Sequence, residues 1–140
     1  MPSIATISNA MDVGDPSNFV RIRHLYQDDL STLQGNLSSF SFTDKETKTA
    51  MEAIHSQTGY AMDPHGAVGY LGLKEYQKNH PNTYGIFLET AHPVKFLDVV
   101  EETLGITPEI PAQIQKVLGK TKKSNKITNY EELKSYLLED

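Results

Sequence analysis

Apolar residues recur at three- and four-residue spacings along most of this chain, which is the pattern of helices that bury one face. Capping residues, prolines at first turns and glycines after last turns mark where these helices begin and end. The predicted helices cover residues 15–35 or 16–35, 43–59, 63–76, 93–105, 112–118 and 129–137.

Two short segments have the pattern of strands instead. Residues 84–88 (YGIFL) form an apolar run typical of a strand buried on both faces, and residues 37–42 (LSSFSF) alternate as in a half-exposed strand. The first run leads through a polar turn, Glu89 to His92, into the helix that starts near Pro93. We therefore predict a helix-rich α/β fold in three layers with a small, mostly parallel sheet, and a ligand site at that turn.

The helix predicted over residues 63–76 contains three glycines three residues apart, Gly66, Gly69 and Gly72. Each costs roughly 1 kcal/mol relative to alanine inside a helix. Something must approach this face closely enough to offset that cost, and another backbone element is the simplest candidate.

Composition limits the kinds of protein this chain can be. It has 140 residues, 38% hydrophobic and 22% charged, which fits one folded unit over residues 1–140. It has no apolar run near the roughly 20 residues of a membrane span and no signal-peptide core, so we expect a cytoplasmic protein without a membrane partner. The absence of cysteine excludes disulfides and thiolate chemistry, and the net charge of -5 argues against nucleic acid as a partner.

Few side chains are candidates for chemistry. Thr90 either presents its hydroxyl to a ligand or caps the following helix. His65 and His92 each stand at a helix start beside a proline, where a neutral imidazole serves as a donor or ligand, or simply makes a structural hydrogen bond. Lys95 is either a Schiff-base lysine or a side chain that reaches solvent. Neither histidine has the spacing of a metal site, and none is predicted.

Three blocks, taken in order, carry a resemblance to a known family. They are ATISNAMDVGDPSNF at residues 5–19, DPHGAVGY at 63–70 and TAHPVKF at 90–96, and they resemble the C-terminal part of threonine synthases. The resemblance implies a tryptophan-synthase-β-like fold and a pyridoxal-phosphate lyase that converts O-phospho-L-homoserine and water into L-threonine and phosphate in threonine biosynthesis. The rival interpretation is a non-catalytic binding or assembly module that keeps this piece of the fold.

The resemblance also implies roles for single residues. Thr90 matches the family's threonine that hydrogen-bonds the pyridine nitrogen of the cofactor, with Ala91 and His92 beside it. Asn9 and Asp12 lie in a loop expected to face the substrate cleft.

The family's F-K-D lysine motif and glycine-rich phosphate loops are not found in these residues. We therefore expect a C-terminal portion with no catalytic residue of its own, inactive alone and binding the cofactor weakly or not at all. A piece cut from a larger sheet exposes apolar surface, so we also expect it to self-associate.

Overall fold

The computed structural model describes residues 2–9 and 12–139, and within them the regular structure is helical. The chain forms two compact units, Met1–Glu109 and Ile110–Asp140. The first unit contains α1 (Phe19–Leu25), α2 (Leu30–Asn36), α3 (Asp44–Thr58), α4 (Pro64–Asn79), a 3-10 turn (Pro93–Phe96) and α5 (Leu97–Leu104). The second contains α6 (Ala112–Leu118) and α7 (Tyr130–Leu138). That residues 1–140 are one portion of a longer chain stays a prediction.

The core of the first unit lies where α3 packs against both α4 and α5. Its buried apolar side chains come from these helices, from the segment before α4 and from the 3-10 turn: Ala50, Met51, Met62, Ala67, Phe96, Val99 and Val100. Ile7 and Ala91 pack against this cluster from outside. The core therefore holds the turn before α5 and the opening segment against the same three helices.

Most predicted helix boundaries are confirmed. The capping box of α3 is present, with Thr43 and Glu46 each accepting the other's backbone N–H, and Gly59 ends the helix with φ +75°. Asp63 caps α4 by accepting the backbone N–H of His65 at 2.9 Å. Gly105 ends α5 with φ +65°. Capping chemistry is local, so sequence alone predicts it well.

The single helix predicted up to Gly35 is wrong, because the structure has two helices there, α1 and α2. Gln27 and Asp28 adopt positive φ angles of 51° and 58°, which ends α1. Asp29 then caps α2 by accepting the Ser31 backbone N–H at 2.9 Å and the Thr32 hydroxyl at 2.6 Å. These hydroxyl and N–H donors, the Thr32 hydroxyl first, lower the pKa of Asp29 to about 2.

The predicted α/β fold with a small parallel sheet is also wrong, since residues 2–9 and 12–139 contain no strand. Residues 84–88 are extended but do not pair, and Tyr84, Ile86 and Leu88 are 105%, 90% and 73% exposed. Residues 37–42 lack a partner as well. An extended segment becomes a strand only through hydrogen bonds to a neighbouring backbone, and neither segment has such a neighbour in the described part of the chain.

The extended segment instead lies along α4 and faces it with every second residue. A Cβ added at Gly85 would meet Leu73 Cδ1 at 2.1 Å, and Phe87 packs edge-on against Tyr70 with ring centroids 5.7 Å apart. Two residues further, the Glu89 carboxyl lies against Gly66. The contacts therefore run backwards along α4, so the segment is antiparallel to the helix.

Side chains, rather than backbone, occupy the space that the α4 glycines leave. The Glu89 carboxyl fills it at Gly66, Phe87 Cβ lies 3.9 Å from an added Cβ at Gly69, and Phe40 Cδ2 lies 3.7 Å from one at Gly72. The contact at Gly66 is the close one, since a Cβ there would be 1.9 Å from Glu89 Oε1. This approach requires glycine at position 66.

No helix in the described residues is long and apolar enough to cross a membrane.

We predict that Met51→Ala lowers the free energy of unfolding by about 2–5 kcal/mol, because Met51 is fully buried at the centre of the core. The matched control is Leu25→Ala in α1, where the side chain is 74% exposed and the change should stay below about 0.5 kcal/mol. Urea unfolding followed by far-ultraviolet circular dichroism measures both. Equal losses in the two variants would contradict the assigned core.

Candidate functional site

The turn over residues 89–92 is held at its end by a cap. His92 precedes the 3-10 turn, and its Nδ1 accepts the Val94 backbone N–H at 3.1 Å. Pro93 occupies the first position of that turn, and Phe96 is buried at its end. His92 Nδ1 therefore acts as a hydrogen-bond acceptor in this cap.

Thr90 lies in the middle of this turn with its side chain exposed. The alternative that Thr90 caps the following helix is wrong, since His92 provides that cap. Among residues 2–9 and 12–139, the Thr90 hydroxyl makes no hydrogen bond. The next residue, Ala91, is half-buried and packs on the core. The turn is thus anchored on both sides of a hydroxyl that is free to bind a ligand.

Glu89 begins the turn that the sequence predicted as a ligand site, but no chemical role was predicted for it. Both of its carboxyl oxygens are buried without a hydrogen-bond donor from the described residues. The carboxyl lies beside the first turn of α4, in the space left by Gly66, and within hydrogen-bonding distance of the fully buried Asp63 carboxyl. Two acidic groups therefore share one buried site.

This proximity separates the pKa values of the two carboxyls. Burial, followed by the hydrogen bond and the charge of Asp63, raises the pKa of Glu89 from its ordinary 4.5 to about 8. Burial also acts to raise the pKa of Asp63, but its hydrogen bonds with Glu89 and His65 outweigh that effect and lower it. At neutral pH the proton of the pair resides on Glu89 and the negative charge on Asp63.

His65 makes a structural hydrogen bond, one of the two alternatives for it. Its Nδ1 lies 2.8 Å from Asp63 Oδ1, and the same oxygen accepts the His65 backbone N–H at 2.9 Å. Because the Asp63 carboxylate only accepts, Nδ1 is the donor. The imidazole also packs against Phe96, with ring centroids 4.9 Å apart. His65 thereby connects the start of α4 to the 3-10 turn beyond Thr90.

Asn9 and Asp12 lie in a loop that is organised by its own hydrogen bonds. The Asp12 carboxylate accepts the Thr6 backbone N–H and the Thr6 hydroxyl, both at 2.7 Å. The Asn9 carbonyl accepts the Asp12 N–H at 3.3 Å. In the described residues, no hydrogen bond joins this loop to the turn at Thr90. Residues 10 and 11 of the loop lie outside the described residues.

The sequence did contain a signal for Glu89. The glycines of α4 predicted a close neighbour, and the neighbour at Gly66 is the Glu89 carboxyl. Connecting the two requires the register of the extended segment on α4, which no local pattern specifies. Lys95 is exposed, as in the solvent-reaching alternative.

Comparison with known proteins gives one consistent result. Residues 66–137 match the family described as threonine synthase, C-terminal. The threonine synthase of Haemophilus influenzae is 39% identical over 137 residues, which are 97% of this chain and 31% of that protein. The Escherichia coli threonine synthase is 38% identical over 110 residues, 79% of this chain and 25% of that protein.

Comparison with solved structures also identifies threonine synthases as similar proteins. The crystal structure of the Escherichia coli threonine synthase superposes with a TM-score of 0.70 at 35% identity, covering 81% of this chain and 26% of that one. The pyridoxal-phosphate-bound threonine synthase of Brucella melitensis gives a TM-score of 0.63 at 24% identity, covering 98% and 34%, and supports the fold alone. The chain spans between a quarter and about a third of the length of these relatives. It belongs to the threonine synthase C-terminal family.

Proposed function

We propose that this chain is the C-terminal part of a threonine synthase and that it forms the surface under the cofactor ring. The complete enzyme, a cytoplasmic pyridoxal-phosphate lyase, converts O-phospho-L-homoserine and water into L-threonine and phosphate. The observation that carries this proposal is the exposed, unbonded Thr90 hydroxyl on an anchored turn, in a chain of this family.

The residues of the turn have distinct roles in this proposal. Thr90 would hold the cofactor ring by donating its hydroxyl hydrogen to the pyridine nitrogen. Because a neutral hydroxyl is a weak acid, it would leave that nitrogen largely unprotonated. Ala91 and His92 hold the Thr90 backbone in place. Ala91 packs on the core and His92 caps the next turn, so the backbone of Thr90 is positioned without the cofactor.

Bound pyridoxal phosphate supplies the electron sink for the reaction at the substrate amino acid. The described residues fit this group at its ring nitrogen, since Thr90 has an unused donor. The covalent lysine and the phosphate loops of the family have no counterpart in these 140 residues and are supplied by other parts of the enzyme in this proposal. Asn9 and Asp12 line the substrate side of the cleft, on the loop that Asp12 folds through Thr6.

The exposed apolar residues of the extended segment favour self-association. Tyr84, Ile86 and Leu88 present three large apolar side chains on a backbone that pairs with no other segment of the described residues. Apolar side chains and unpaired backbone groups side by side are typical of a surface that pairs with another chain. A second copy of this chain is the partner that we propose.

The isolated 140-residue chain should release no phosphate from O-phospho-L-homoserine in the presence of pyridoxal phosphate, because it lacks the attachment lysine motif. A phosphate-release assay measures this, with a complete threonine synthase as the positive control. Turnover by the purified chain would overturn the proposed division of roles.

A hybrid enzyme tests the role of Thr90. The chain replaces the aligned stretch of the Haemophilus influenzae enzyme, and we expect an active hybrid. Thr90→Val should lower kcat/KM by about tenfold, since one hydrogen bond of about 1–1.5 kcal/mol is lost without a change in shape. Thr107→Val, at an exposed threonine outside the turn, is the matched control and should leave kcat/KM unchanged.

Two outcomes of the hybrid experiment would contradict the proposal. A folded hybrid without activity would favour a non-catalytic binding or assembly module. Equal kcat/KM values for the Thr90→Val and Thr107→Val hybrids would remove Thr90 from the cofactor site.

Multi-angle light scattering of the isolated chain, on the order of tens of micromolar, should give a mass above that of one chain. Ile86→Lys places a charge on the exposed face and should shift the population to the monomer, while Leu25→Lys, at a position on α1 that is also exposed, should not. A monodisperse monomer for the unmodified chain would disprove self-association through this face.

A further inference from the structure

The carboxyl pair of Asp63 and Glu89 has too few hydrogen-bond donors for two ionised groups. Asp63 Oδ1 accepts both hydrogen bonds from His65, whereas Asp63 Oδ2 and both Glu89 oxygens are buried without a donor from the described residues. Among the ion pairs of this part of the chain, none brings a lysine or arginine to either carboxyl. A single proton between the two groups supplies the missing donor.

Position determines which group holds that proton. Asp63 is fully buried, but it caps α4 and accepts two N–H donors, so its charge is stabilised by those donors and by the helix start. Neither Glu89 oxygen has such a donor in hydrogen-bond geometry among the described residues. The Asp63 backbone acts to lower the pKa of Glu89, but burial and the Asp63 carboxyl outweigh it. The neutral Glu89 carboxyl therefore donates its O–H to Asp63, and the ionised form of Glu89 would face the Asp63 charge across a buried contact.

We propose that Glu89 is a positioning residue, whose neutral carboxyl hydrogen-bonds Asp63 and fixes the Thr90 turn on the first turn of α4, and that loss of its proton loosens this connection. The connection itself depends only on the contacts described here. Its value for cofactor binding rests on the proposed function of Thr90.

The titratable groups around Glu89 are few. Asp63 and His65 face it from the start of α4, and Tyr60 lies nearby in the segment before α4, where burial, Glu89 and Asp63 raise the pKa of its hydroxyl above its ordinary value of 10.0. Tyr60 therefore stays neutral over the range in which Glu89 titrates. His65, which hydrogen-bonds Asp63, is a second titratable group at this site, so a variant at Glu89 must separate the effects of the two.

The direction of the pH effect follows from proton binding. Glu89 has an ordinary pKa of 4.5 and a folded-state pKa of about 8, so between these values the folded chain holds a proton that the unfolded chain has lost. The contribution of Glu89 to stability is complete below about 4.5 and is lost as the pH rises through about 8. Stability should fall with rising pH in this window.

Urea unfolding of the 140-residue chain between about pH 5 and pH 9 tests this. For one proton, the unfolding equilibrium constant rises by at most about tenfold per pH unit. Glu89→Gln keeps an N–H donor for Asp63 but has no titratable proton, so it should fold and lose this pH dependence. Glu52→Gln, an exposed position on α3, is the matched control and should keep it. Parallel pH profiles for the unmodified chain and Glu89→Gln would overturn the proposal.

A second experiment does not depend on unfolding. Carbon-13 NMR of the side-chain carboxyls should show Glu89 titrating near pH 8 in the unmodified chain. Gly66→Ala places a methyl group where the carboxyl lies and should return this titration to the ordinary range near 4.5. A Glu89 signal that already titrates near 4.5 in the unmodified chain would disprove the shared proton.

The positioning role has its own readout. Nitrogen-15 relaxation of the Thr90 backbone amide should give a lower order parameter above pH 8 in the unmodified chain and not in Glu89→Gln. An order parameter unchanged across this range would remove the connection to Thr90. None of these measurements uses the cofactor, so their failure is distinct from failure of the proposed enzyme role.

Discussion

The fold around the candidate site depends on how closely the extended segment approaches α4. Gly66 removes one side chain from the helix surface, and the Glu89 carboxyl enters that space. The approach brings Phe87 onto Tyr70 and sets the direction in which the chain leaves α4 toward the 3-10 turn. The position of Thr90, one residue later, is thus a consequence of a missing Cβ on a neighbouring helix.

Local structure was largely predictable from this sequence. The cap at Asp63, the capping box of Thr43 and Glu46, and the glycine stop at Gly105 all depend on residues within one or two turns of each other. The break between α1 and α2 was missed because the apolar periodicity continues across it. The break is local: Asp29 accepts the Ser31 N–H and the Thr32 hydroxyl and so starts a new helix. A cap signal inside an apparently continuous helix therefore deserves more weight than the periodicity.

The sequence did not predict which distant segments of the chain contact each other. Residues 84–88 have the composition of a buried strand, yet pairing requires a second backbone that composition does not provide. The same holds for the site: Glu89 was placed in the predicted ligand turn, but its contact with Asp63 was not predicted, since the pKa of Glu89 depends on that contact across 26 positions of chain. Register between elements is the missing information in both cases.

The side chains at positions 66 and 89 compete for the same space, so the residue at one position limits which residues the other can accept. With glycine at 66 the helix start accommodates a carboxyl from position 89, and any larger residue at 66 displaces it. A lineage that gains a side chain at position 66 must therefore shorten the residue at position 89, and the reverse also holds. Mutations at these two sites should be non-additive, so that each is tolerated or harmful according to the other.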